Sequence, residues 1–110
     1  VAQDLEGEAL LRSPLEPWRT WFAARGLDWP EPLEGSQFND VGLMCDGAAA
    51  GMGIAIMHDD HFARSGDDRL ARLFDIEVES PYSYWFICRQ RALESRPVRL
   101  FHDWMLRAGL

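Results

Sequence analysis

The sequence predicts an α/β domain, and three observations point there. Segments patterned as helix alternate with segments patterned as strand. One segment is a continuous apolar run, Ile54-Ala55-Ile56-Met57, of the kind a central strand covered on both faces requires. The helical segments are punctuated by glycine at their ends, with asparagine, aspartate, serine or proline near their starts.

Taken in order, Leu10, Leu11 and the residues after them predict a short strand stopped by Pro14. Pro17 suits the first turn of a helix, Trp18, Trp21 and Phe22 share one face of it, and Gly26 can close it in a left-handed conformation. Asp28 to Gly35, with two prolines, is an irregular connection. Val41, Met44, Cys45, Ala48 and Ala49 then recur at the offsets of an amphipathic helix, with Asn39 or Asp40 to cap it and Gly51 to end it. Gly51-Met52-Gly53 turns the chain into the Ile54 to Met57 strand. A short helix over Asp60 to Arg64 follows, then strands over Leu73 to Val78 and Tyr82 to Cys88. Ser95 caps a last helix with Pro97 in its first turn, Val98, Phe101, Trp104, Met105 and Ala108 along one face, and Gly109 at its end.

Composition narrows the function. The 110 residues suffice for one core, and at 47% hydrophobic and 26% charged they are too apolar for disorder. No stretch approaches the roughly 20 apolar residues of a membrane helix, and no basic segment leads into a signal-peptide core, so the expected location is the cytoplasm, away from membranes. A formal charge of -7 repels a polyanion, which excludes DNA binding by this segment alone. All 11 basic residues are arginine, a bias that no single site explains. Two cysteines, Cys45 and Cys88, are too few for a disulfide framework and are expected as reduced, buried thiols. The opening Val1 suggests a piece of a longer protein, or processing.

The order of elements also resembles a known family. Phe38-Asn39-Asp40-Val41 through Ala48-Ala49-Ala50-Gly51-Met52-Gly53-Ile54-Ala55-Ile56 resembles the signature of LysR-type bacterial transcription regulators, in which a helix ends in a small-residue turn before a buried strand. Trp18 to Gly26 looks like the tryptophan-bearing helix before that signature, and Leu70 to Phe74 like the leucine-rich hinge strand. Tyr82 to Cys88 looks like the aromatic strand returning to the first lobe, and Pro97 to Met105 like the final helix. The similarity is closest to the branch with the glycine-cleavage and β-lactamase-inducing activators.

This resemblance implies an incomplete regulatory domain of the type 2 periplasmic-binding-protein-like fold. Residues 1–78 would be the second lobe and hinge, and 79–110 the last strand and helix of the first lobe. It implies a small-molecule effector, with a lean towards amino acids, cell-wall peptides or carboxylates, and no catalysis or cofactor. It also implies DNA contact only through a winged helix-turn-helix region absent from this chain. Gln37 and Asn39 would hydrogen-bond the effector and Phe38 would wall it, at a helix entrance whose free N–H groups favour an anion. Arg12 and Ser13 match a second position facing the effector, Arg12 being suited to a two-pronged grip on a carboxylate. The helix bearing Val41, Met44 and Ala48 is the candidate surface for a homodimer or larger oligomer.

Two other readings compete. His58-Asp59-Asp60-His61 offers metal-type ligands, and a small metal-dependent enzyme could centre on His58 and His61, although local sequence fixes no third ligand and a solvated capping loop explains the motif. A protein-interaction module without ligand sensing is the third. Gly51-x-Gly53 lacks the context of a dinucleotide fingerprint, and the aromatic run at Trp85 lacks the basic residues of a base-stacking platform.

Overall fold

A computed structural model describes residues 1–108. Its centre is an aromatic cluster built on helix α1, Trp18–Ala24. Trp18, Trp21 and Phe22 stand at i, i+3 and i+4, so they share one face and are buried together with Leu27. A 3₁₀ turn over Ala2–Leu5 drops Ala2 and Leu5 onto that face, and Trp29 meets Phe22 edge-on with ring centroids 5.1 Å apart. Pro17 precedes the helix in extended backbone instead of occupying its first turn, and it has no side chain with which to cap it. Glu31 caps it instead, its carboxylate accepting from Trp18 N at 3.0 Å and Arg19 N at 2.7 Å.

Helix α2, Val41–Ala49, begins as expected: the Asp40 carboxylate accepts from Leu43 N at 3.0 Å. Met44, Cys45 and Gly47 are buried, with Val41, Ala48 and Ala49 half-buried beside them. Both α1 and α2 end in the same way. Leu27 N donates to Phe22 O and Met52 N to Gly47 O across the last turn, with Gly26 and Gly51 at φ 73° and 82°. Helix α3, Asp59–Ser65, closes on Gly66, also left-handed. Helix α4, Arg96–Ala108, follows a 3₁₀ turn over Gln90–Glu94. The expected terminator of α4, Gly109, lies outside the described residues.

The predicted α/β architecture, and with it the periplasmic-binding-protein-like fold, is overturned. Helices are the only extended regular elements among the described residues, and the predicted strands make only isolated pairings: Leu10 with Ile54 and Arg12 with Gln37, both parallel, and Ser13 with Glu16, antiparallel. At the first, Leu11 N donates to Ile54 O and Ile54 N to Ala9 O, each at 2.8 Å. At the second, Arg12 N reaches Ser36 O at 2.9 Å and Phe38 N reaches Arg12 O at 2.8 Å. Neither ladder continues. Pro14 stops one chain two residues later, and on its partner α2 begins at Val41. Leu73 to Val78 and Tyr82 to Cys88 have strand-forming composition but no neighbouring strand to supply a ladder, and strand preference is a preference for such neighbours.

An apolar helix face lies open, and one burial expectation, that for Cys88, fails. The apolar face of α4 is half open, with Phe101 51% and Trp104 54% exposed, because α4 packs against the Gln90–Glu94 turn and no other helix. Cys88 is exposed, lying in the same unpartnered stretch, whereas Cys45 is buried as expected.

Candidate functional site

Four of the five predicted effector contacts fall at one place. The Arg12–Gln37 pairing sets Arg12 directly beside the entrance to α2, and Phe38 and Asn39 follow along the chain towards the Asp40 cap. Gln37 and Asn39 are exposed, free to meet a solute. Phe38 is half-buried and leans inward: a Cβ added to Gly47 would lie 3.0 Å from its Cζ, so the ring rests on the α2 backbone. The Arg12 guanidinium is already engaged, its Nε and Nη2 donating to Gly35 O at 3.1 and 3.0 Å and Nη1 to Pro32 O at 3.5 Å. Ser13 is buried, 5% exposed, and its hydroxyl accepts from Leu15 N at 3.2 Å. Both side chains hold local backbone in place. At the helix entrance, the Leu43 N–H is occupied by Asp40, so the chain supplies an anion of its own there.

Of the interface candidates, Met44 is fully buried, while Val41 and Ala48 are half-buried. The exposed flank of α2 is marked instead by Leu43, 60% exposed.

A second site was not singled out from sequence. A cavity of about 690 Å³ opens between α1, the Ile54 to Met57 segment and residues 69–81. Trp21, Ile54, Ile56 and Phe74 form part of its apolar wall, and Trp21 and Phe74 meet with ring centroids 5.3 Å apart. Glu16, Asp59, Asp60, Glu77 and Glu79 also line it. At this cavity His58 Nε2 lies 2.6 Å from Glu16 Oε1, with the Glu16 side chain only 12% exposed. The two residues are far apart in sequence, so no local motif could have flagged them. Arg72 ties the opposite wall, pairing with Asp59 at 2.8 Å and Glu77 at 3.3 Å. Surface exposure keeps such pairs weak.

Burial pushes the Glu16 carboxyl above its ordinary range, outweighing the downward pull of His58. The sign of the consequence follows from linkage. With its folded pKa above its unfolded one, Glu16 keeps a proton on folding that the unfolded chain has released. Its contribution is therefore full below the ordinary glutamate value of about 4.3 and is lost as pH rises through the raised folded value. Melting curves of wild type and Glu16→Gln between about pH 4 and about pH 7 should show wild type losing ground to the variant as pH rises. Wild type gaining ground instead would mean that the His58 pair outweighs burial.

The thiol of Cys45 is held above its ordinary value by burial and then by the nearby Asp46, Asp67 and Asp40 carboxylates, which keeps it protonated and inert. His61 is exposed, His58 is turned to Glu16, and no group of three or more potential metal ligands gathers among the described residues. No described helix is long and apolar enough to cross a membrane.

No curated protein and no solved structure matches the chain. A family model described as the LysR substrate binding domain matches residues 2–109, and that domain is regulatory and non-catalytic. With all but the two terminal residues inside the match, the chain belongs to the LysR substrate binding domain family and is not an enzyme.

Proposed function

We infer that this chain serves as the effector-sensing part of a bacterial LysR-type DNA-binding transcription regulator, taking a small amino acid, peptide or carboxylate at the entrance of α2. Family membership supports the regulatory, effector-binding role in general. The observation that carries the finer reading is the pairing of Arg12 with Gln37, which gathers exposed Gln37 and Asn39 at one helix entrance beside an arginine-braced loop. In this reading Gln37 and Asn39 contact the effector, while Arg12, Ser13 and Phe38 fix the backbone that presents them. DNA is contacted by a winged helix-turn-helix region outside this sequence, consistent with the charge of -7 here. Copies pair along the outward flank of α2, with Val41 and Ala48 at its margin.

A binding event of this kind stabilises the folded state by about 2.7 kcal/mol at a hundredfold excess over Kd. A thermal-shift screen of amino acids, short peptides and small carboxylates should therefore find a ligand that raises Tm by several degrees, with the shift fading in Asn39→Ala. Asn39 is exposed, so its replacement leaves the core intact. A shift that persists in Asn39→Ala would move the site elsewhere, and no response to any ligand would favour the interaction-module reading.

A further inference from the structure

We propose that the cavity between α1, the Ile54 to Met57 segment and residues 69–81 is a site for a small organic cation, an ammonium group carried on an apolar body, with Glu16 receiving the charged end. The inference does not rest on the effector site at the entrance of α2, since none of Arg12, Ser13, Gln37, Phe38 and Asn39 lines this cavity.

Size and walls indicate an organic ligand. At about 690 Å³ the cavity falls within the roughly 300–1,000 Å³ of small-molecule sites, and Trp21, Ile54, Ile56 and Phe74 give it the apolar wall that such sites share. The Trp21 and Phe74 rings, with centroids 5.3 Å apart, add aromatic surface, which attracts cations. A bare metal ion is the poorer occupant, because no group of three or more potential ligands gathers among the described residues.

Charge sets the sign of the ligand. Five carboxylates line the cavity against two arginines, a net of -3 with His58 neutral. Arg72 is engaged by Asp59 and Glu77, and Arg69 by Asp67 at 2.8 Å, so both arginines are committed before any anion could arrive. Glu16 is the most buried of the five acids: its side chain is 12% exposed, where those of Asp59, Asp60 and Glu77 are 53% or more and Glu79 is also exposed. His58 holds Oε1 of Glu16, and a carboxylate offers a second oxygen, so Oε2 can accept from an ammonium group entering along the aromatic wall. Burial makes the Glu16 charge costly, and a cation beside it offsets that cost more than at an exposed carboxylate, where water screens the pair. A neutral apolar ligand would instead seal Glu16 from water without offering it a donor.

Isothermal titration calorimetry on the chain as it stands tests the site with three ligands of similar shape: phenethylamine, phenethyl alcohol and phenylpropionate. The amine should bind at least about tenfold more tightly than the alcohol, the scale of one charged hydrogen bond, and the carboxylate should bind most weakly. Glu16→Gln keeps the shape of the side chain and removes its charge, so it should weaken amine binding about tenfold while changing alcohol binding little. Glu34→Gln, at an exposed acid outside the cavity, should bind the amine as wild type does, which separates the site from the general pull of a chain of charge -7. An amine that binds no better than the alcohol overturns the proposal, as does a wild-type Kd above about 10 mM, the level that an ordinary per-atom affinity gives so small a ligand. Equal losses in Glu16→Gln and Glu34→Gln would overturn it in favour of diffuse charge attraction. The comparison of ligands on wild type decides the matter even where Glu16→Gln fails to fold. A failed effector screen bears only on the entrance of α2 and leaves these outcomes unaffected.

Discussion

Replacing Trp18 with alanine is expected to abolish cooperative unfolding of residues 1–81. Trp18 is 3% exposed, stacks on Phe22 with centroids 5.7 Å apart and meets Trp21 edge-on at 6.2 Å. Its indole Nε1 also donates to Leu11 O at 2.8 Å in a buried position. The substitution opens a cavity at the centre of the cluster, at a cost of about 3–5 kcal/mol, and strands the Leu11 carbonyl for about 1–3 kcal/mol more. A small domain holds about 5–15 kcal/mol in total, so most or all of its stability would go. Urea denaturation followed by circular dichroism should show a shallow transition without a native baseline. Trp85→Ala, at an 80% exposed position, should change stability by less than about 0.5 kcal/mol. Equal effects at the two tryptophans would contradict the placement of the core.

The second large effect is expected at Gly53. A Cβ there would lie 2.5 Å from Ala9 O and 3.1 Å from Leu11 Cδ2. The first contact is backbone, and the same carbonyl accepts from Ile54 N at 2.8 Å, so the Leu10–Ile54 pairing must separate to make room. Gly53→Ala should cost at least about 2 kcal/mol, from overpacking and from two weakened hydrogen bonds. Gly51→Ala should cost about 1 kcal/mol: its φ of 82° disfavours a side chain, but the space around it is open. Thermal melts of the two variants test the order, and Gly51→Ala proving the worse would show that close backbone approach at Gly53 is not what holds this junction.

The helices were legible because their signals are local. Trp18, Trp21 and Phe22 at helical spacing, Asp40 three residues before Leu43, and Gly26 and Gly51 at the two closing turns all act within a turn or two of chain. The strands were not legible in this sense. An apolar run such as Ile54 to Met57, or the aromatic run from Tyr82, states what a strand would be made of but not whether a partner lies alongside. Here Ile54 finds one residue to pair with, and the stretch after Tyr82 finds none.

The sites divide in the same way. The gathering of Arg12 with Gln37, Phe38 and Asn39 was expected only through family resemblance, since nothing local joins residue 12 to residue 37. The Glu16–His58 pair had no such guide, because a glutamate before Pro17-Trp18 reads as ordinary helix-start composition. His58 was noticed for the wrong neighbours: its partner is the distant carboxylate, not His61. The open cavity was hidden because two of its walls, Ile54 to Met57 and Leu73 to Val78, are segments whose composition reads as strands of a packed sheet.

The connection from Asp28 to Gly35 looks, by composition, like the natural place for length to vary. Its attachments argue otherwise. Glu31 holds the first turn of α1 with both carboxylate oxygens, and four residues later the Gly35 carbonyl takes two N–H groups of Arg12. The distance between those two grips is set by the number of residues separating them. An insertion of even one residue there would force the helix start and the Arg12 segment to compete for a loop that no longer fits both, so descendants of this sequence should vary in length before Asp28 or beyond Gly66 and keep this count fixed.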